Sequence, residues 1–175
     1  MFLKKRRSTM TEYNAIERIL QTEGKNVGMS KILVSACLLG ENCKYNGGNN
    51  YNEKLVGFLK DKEVIPVCPE RDGGLLSPRK SVELIHNLPY DKDGKCYEEA
   101  FQKGIATALR AVEAEAIDYA VLQSRSPTCG VGRVYDGSFS GTLTAGDGRL
   151  VQALKACGIP VYDVAEFVKE SEKHG

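Results

Sequence analysis

From Lys31 onward the chain alternates short apolar runs with helix-periodic segments, and no other feature restricts its fold as much. Lys31–Ala36, Val64–Val67, Tyr119–Leu122 and Pro160–Tyr162 are apolar, mostly β-branched or aromatic, and of strand length. Asn52–Lys60, Tyr97–Glu115 and Gly148–Cys157 fall between them as helices, and Val164–Glu170 follows as a closing helix. Tyr97–Glu115 is the clearest, because Phe101, Ile105, Ala108, Leu109 and Val112 recur at the helical period. Residues between Val67 and Tyr97 read as a long loop punctuated by glycine and proline.

Strands joined through helices pair in parallel, since a parallel pair needs a crossover connection. The expected class is therefore α/β: one three-layer domain with an open, mainly parallel, Rossmann-like sheet, spanning 31–175. The 175-residue length suits a single core. Residues 1–30 read as an N-terminal extension. Glu12–Thr22 forms a short helix with Ile16, Ile19 and Leu20 on one face, and Gly24-Lys-Asn-Val-Gly acts as a linker.

Several function classes lose support at once. The formal net charge of +1 gives no reason to expect nucleic acid or an acidic membrane surface as a partner. No apolar run approaches bilayer length, and the basic start, Met1-Phe-Leu-Lys-Lys-Arg-Arg, leads into polar sequence instead of an apolar signal segment. The expected location is the cytoplasm. Only two histidines occur, His86 and His174, so chemistry must rest on cysteine, carboxylate, hydroxyl or backbone groups.

The cysteines take on meaning once the strands are placed. Cys37 follows the first strand, Cys68 closes the second, and Cys129 lies in the loop after the third. Carboxyl ends of parallel strands form the crevice where open α/β sheets bind ligands. Three thiols with almost no imidazole suggest a soft metal or an iron–sulfur cluster. Spacing alone does not separate a cluster from a three-cysteine zinc site. Glu70, two residues after Cys68, and Ser126, three before Cys129, could relay protons there or simply make turns. Cys43 reads as a loop thiol, with a fourth ligand or redox partner as the other readings. Cys157, in register with Leu150 and Leu154, reads as a small buried hydrophobe. The glycine-rich stretch Ser140–Gly148 leads into a helix N-terminus, a natural anion site, with Asp147 as its cap. Arg79 and Arg125 either hold an anionic or carbonyl group or form structural pairs.

Six ordered motifs resemble the thiouracil desulfurase family: Val34-Ser-Ala-Cys-Leu-Leu-Gly, Tyr45-Asn-Gly-Gly, Val67-Cys-Pro-Glu, Gly73-Gly-Leu-Leu-Ser-Pro-Arg, Ser124-Arg-Ser-Pro-Thr-Cys-Gly and Tyr135-Asp-Gly-Ser-Phe-Ser-Gly-Thr. The likeness runs from about residue 31 to about residue 165. It implies a [4Fe–4S] cluster on Cys37, Cys68 and Cys129, with one iron open to the sulfur of a thiolated pyrimidine such as 2-thiouracil. Water would replace that sulfur without redox change, assisted by Glu70 and Ser126, with Ser35, Arg79 and Arg125 as candidate substrate contacts. Members often carry lysine at Gln123, serine at Thr128 and aspartate at Asn46. The expected partner is a small thiolated nucleobase, and the expected assembly a monomer or small homo-oligomer. The alternative is a non-catalytic metal- or nucleotide-binding module.

Overall fold

The structure, a computed structural model, describes residues 15–21 and 29–174. Its centre is a four-stranded parallel sheet of β1 (Lys31–Ser35), β2 (Glu63–Val67), β5 (Tyr119–Leu122) and β8 (Val161–Asp163), in the order β2-β1-β5-β8. Ile32 pairs with Val64 on one side and with Tyr119 on the other, and Val121 pairs with Tyr162. The chain leaves β1 for one edge and returns across it to β5. That reversal makes the carboxyl ends of β1 and β5 a topological switch point.

Period-two alternation sends side chains to two separate cores. Ile32, Val34, Tyr119, Val121 and Tyr162 face one layer; Leu33, Ala120, Leu122 and Val161 face the other. On the first face lie α1 (Glu53–Phe58) and α5 (Val164–His174). Phe167 of α5 is fully buried there, within 6.0 Å (centroid to centroid) of Phe58, Tyr119 and Tyr162. On the second face lie α3 (Glu98–Glu115) and α4 (Arg149–Ala156), through Ile105, Ala108, Val112, Leu150 and Leu154. Each fully buried large side chain contributes about 1.5–3 kcal/mol of hydrophobic free energy. The three-layer α/β class read from the sequence is the one observed.

Three features depart from that reading. The long loop holds structure: a four-residue helix α2 (Pro69–Asp72) and a hairpin of β3 (Val82–Ile85) with β4 (Leu88–Asp91). A second hairpin, β6 (Arg133–Tyr135) with β7 (Leu143–Ala145), follows β5. Cys157 is exposed, not buried, because α4 ends at Ala156 and Gly158, at φ 76°, turns the chain away.

Residues 15–21 are helical, and Ile16 is buried in the first core with Ala15, Ile19 and Leu20 packed around it. The outer residues of the expected 12–22 helix, and the linker after it, lie outside the described residues. No helix among the described residues is long and apolar enough to cross a membrane.

Candidate active site at the sheet's carboxyl edge

The carboxyl ends of β1, β2 and β5 open into a cavity of about 500 Å³, within the range typical of small-molecule sites. Its wall includes Ser35, Cys37, Cys43, Cys68, Glu70, Arg79, Gln123, Arg125, Ser126 and Cys129. The convergence expected from strand placement is present, and it brings in a fourth thiol.

Each loop is mounted by packing. After β1 a 3-10 turn, Ala36–Leu39, carries Cys37, whose sulfur receives Asn50 Nδ2 at 3.7 Å. After β2, Pro69 starts α2, and its fixed φ suits the first helical position. Asp72 Oδ2 accepts from Cys68 N at 3.2 Å and closes that turn. Gly104 of α3 lets this short helix lie flush, since a Cβ there would stand 1.7 Å from Pro69 O.

The third loop is anchored by α4. Gly148 N, Arg149 N and Leu150 N donate to the carbonyls of Gly130, Pro127 and Thr128 at 2.7–2.9 Å. Those helix-end donors are therefore spent on the loop, and the anion site expected from the glycine-rich approach is not formed. Asp147 does not cap α4 either: its carboxylate accepts from Gly132 N and Lys155 Nζ, and Gly148 is the N-cap.

Cys43 is buried, its backbone carbonyl accepts the Cys68 thiol at 3.9 Å, and its own thiol shifts those of Cys37 and Cys68. Its thiol lowers the pKa of Cys37, outweighing burial. Cys68 is shifted far upward, first by its bond to Cys43 and then by desolvation. Burial pushes the Cys129 thiol up to about 12, partly offset by a hydrogen bond from Ser35. Ser35 also accepts Gln123 N at 2.9 Å, so its hydroxyl ties β1 to the loop after β5.

Glu70 is gripped at both oxygens. Oε2 accepts from Arg79 Nε at 3.0 Å and Nη2 at 2.6 Å; Oε1 accepts from Thr128 Oγ1 at 2.7 Å. Arg79 further donates to the carbonyls of Cys43 and Leu76, at 3.0 and 3.1 Å, so its fork is committed within the protein. Ser126 Oγ accepts from Thr128 N and Cys129 N, each at 3.1 Å. Arg125 sits exposed at the cavity mouth with φ 64°. Sequence reasoning underweighted Cys43, whose signal was its closeness to Cys37. It missed Thr128 as a bridge between loops, for which one sequence holds no signal.

The cavity wall is rich in thiols, the donors that iron–sulfur clusters take. Among the described residues no three His, Cys, Asp or Glu side chains group around one metal position. An iron–sulfur cluster takes each thiolate on a different iron, so three cysteines from three loops can serve it without meeting at a point.

Comparison with known proteins agrees. The chain is 33% identical over 146 residues to the uncharacterized protein YbbK of Bacillus subtilis (strain 168), covering 78% of this chain and 97% of that one. The solved structure of a [4Fe-4S]-dependent thiouracil desulfidase, TudS, matches with a TM-score of 0.76 at 32% identity, over 82% of this chain and 97% of that one. A profile of the 2-thiouracil desulfurase family matches residues 32–166. With that match spanning most of its length, this chain belongs to the 2-thiouracil desulfurase family.

Proposed function

We propose that the protein is an iron–sulfur desulfidase that exchanges the sulfur of a thiolated pyrimidine, of the 2-thiouracil type, for oxygen from water. One observation carries the reading: Cys37, Cys68 and Cys129, from three strand ends, line one cavity whose wall also holds Glu70 and Ser126. The family and the named activity of the similar solved structure support it.

In this reading the sulfurs of Cys37, Cys68 and Cys129 would hold a [4Fe–4S] cluster. When bound, it supplies one iron without a protein ligand, a Lewis acid toward the substrate's sulfur. The remaining work falls to the chain. Cys68 and Cys129, whose thiols are shifted upward, would have to be deprotonated to hold the cluster. Glu70 Oε1, which accepts one hydrogen bond against two at Oε2, takes a proton from water as its oxygen bonds to the thiolated carbon. Ser126, its oxygen already accepting two backbone N–H groups, keeps its hydroxyl proton to donate toward the reacting atoms. The balance is hydrolytic: one water enters and one hydrogen sulfide leaves. The carbon keeps its oxidation state, so no electron donor is needed.

The experiment is anaerobic reconstitution, iron and sulfide assay, then addition of 2-thiouracil. About four irons per chain with release of uracil is the expected result. Cys37→Ser, Cys68→Ser and Cys129→Ser should each lose the cluster. Glu70→Gln should keep it and slow turnover by about 10²–10⁴-fold. Full turnover by iron-free protein would refute the reading, and a loaded but inert protein would point to a binding module.

A further inference from the structure

We infer that Thr128 is a positioning residue that holds Glu70 and Ser126, from two different loops, as one unit. This rests on the acid–base reading of those two residues.

Thr128 faces both partners at once. Its hydroxyl donates to Glu70 Oε1 at 2.7 Å, and its backbone N–H donates to Ser126 Oγ at 3.1 Å. Among the described residues, that hydroxyl makes the one hydrogen bond between the loop after β5 and α2. With Arg79 on Oε2 and Thr128 on Oε1, Glu70 is held at both oxygens, which restricts rotation of its carboxylate. Arg79 alone would leave the carboxylate free to swing about Oε2.

The mount is stiff. Thr128 is 1% exposed, and its carbonyl accepts Leu150 N at 2.9 Å from the first turn of α4. A Cβ on Gly148 would stand 2.5 Å from that same carbonyl, so helix and loop backbones touch with no side chain between. A hydroxyl buried this deeply costs free energy unless bonded, and the bond it makes is to the carboxylate. Groups of this kind, which orient a reacting group without touching substrate, typically change activity 10–100-fold when removed. Misplacement by about 1 Å has a similar effect.

The test uses the full chain, reconstituted anaerobically, with 2-thiouracil as probe. Thr128→Val keeps shape and removes the hydroxyl; Thr128→Ser keeps the hydroxyl; Thr128→Ala decides should valine disturb the loop. The valine and alanine variants should bind about four irons, keep KM, and lose about 10–100-fold in kcat. Thr128→Ser should recover most of that loss. In a Glu70→Gln background, Thr128→Val should cost little more, because coupled residues are not additive. Wild-type kcat in loaded Thr128→Val or Thr128→Ala, equal impairment by serine and valine, or full additivity with Glu70→Gln each overturns the inference. If Glu70→Gln alone turns over normally, the acid–base reading falls and takes the inference with it. A slow Glu70→Gln beside a fast Thr128→Val removes only the inference.

Discussion

Replacing Gly104 by alanine sets two effects of opposite sign against each other. Gly104 lies inside α3, where intrinsic propensity favours alanine by about 1 kcal/mol. The structure predicts the reverse. The added Cβ would stand 1.7 Å from Pro69 O, 2.5 Å from its carbonyl carbon and 2.8 Å from its Cα, all backbone. No side-chain rotation relieves such a clash, so α2 must move outward by about 1 Å or more, on the scale where a reacting group is misplaced. Overpacking of a fitted contact costs about 1–3 kcal/mol, and this one lies at the severe end. Net destabilisation of about 1–3 kcal/mol lowers the melting temperature by about 2–12 °C in a domain of this size. Because Cys68 and Glu70 ride on the displaced segment, iron uptake and turnover should fall with it. Gly57→Ala is the control: Gly57 is exposed in α1 with nothing within 4 Å of its added Cβ, so the same change there should stabilise by about 0.5–1 kcal/mol. Thermal melts of the two variants decide the matter by sign. A rise in melting temperature for Gly104→Ala equal to that for Gly57→Ala would refute the close approach of α2 to α3.

Two other predictions concern stability. Arg149 holds both oxygens of Glu98 at 2.6 and 2.8 Å and lowers its carboxylate pKa, joining α4 to α3. A depressed carboxylate stabilises above its unfolded pKa and loses that contribution as pH falls through the folded one. Urea titrations should therefore show stability dropping below pH about 4.5, with a smaller drop in Glu98→Gln, which loses about 1.5–3 kcal/mol at pH 7; an unchanged acid profile would refute this assignment. Ile16→Ala should cost about 2–4 kcal/mol in the same titration, since Ile16 is 1% exposed. A neutral result would mean that residues 15–21 contribute nothing to the core.

The parts of the fold legible in the sequence were those with a long enough period. Five core positions of Tyr97–Glu115 repeat at helical spacing, and four apolar runs separated by helices left parallel pairing as the consistent solution. The hairpins escaped because their strands are three or four residues long, too short to display alternation. Pro89 also weakens the strand signal of β4. The turn between β3 and β4 uses His86 and Asn87 at φ 49° and 63°, a geometry usually announced by glycine, so only the asparagine hints at it.

The site divides along the same line. Cys37, Cys68 and Cys129 could be located because each position follows from a strand end, and strand ends are readable. The role of Arg79 could not, since pairing with Glu70 and binding a ligand leave the same mark in one sequence. Geometry favours pairing: the guanidinium makes four hydrogen bonds, all within the protein. The link from Thr128 to Glu70 spans 58 residues and depends on the loop lengths after both β2 and β5, which no local pattern encodes.

Among the described residues no buried side-chain nitrogen or oxygen lacks a hydrogen-bond partner. In the cavity wall several of those partners come from another strand-end loop: Ser35 bridges to Gln123, Thr128 to Glu70, and Arg79 to the carbonyl of Cys43. The three loops restrain one another, and α3 and α4 press on them at Gly104 and Gly148, where glycine replaces a side chain. Precise placement of reacting groups needs supporting partners held by packing. Here the parallel sheet supplies three anchor points, the two close helix contacts set the loops' height, and the cross-loop hydrogen bonds set their orientation. A change to any one of them should therefore reach the other two loops, even though they are distant in sequence.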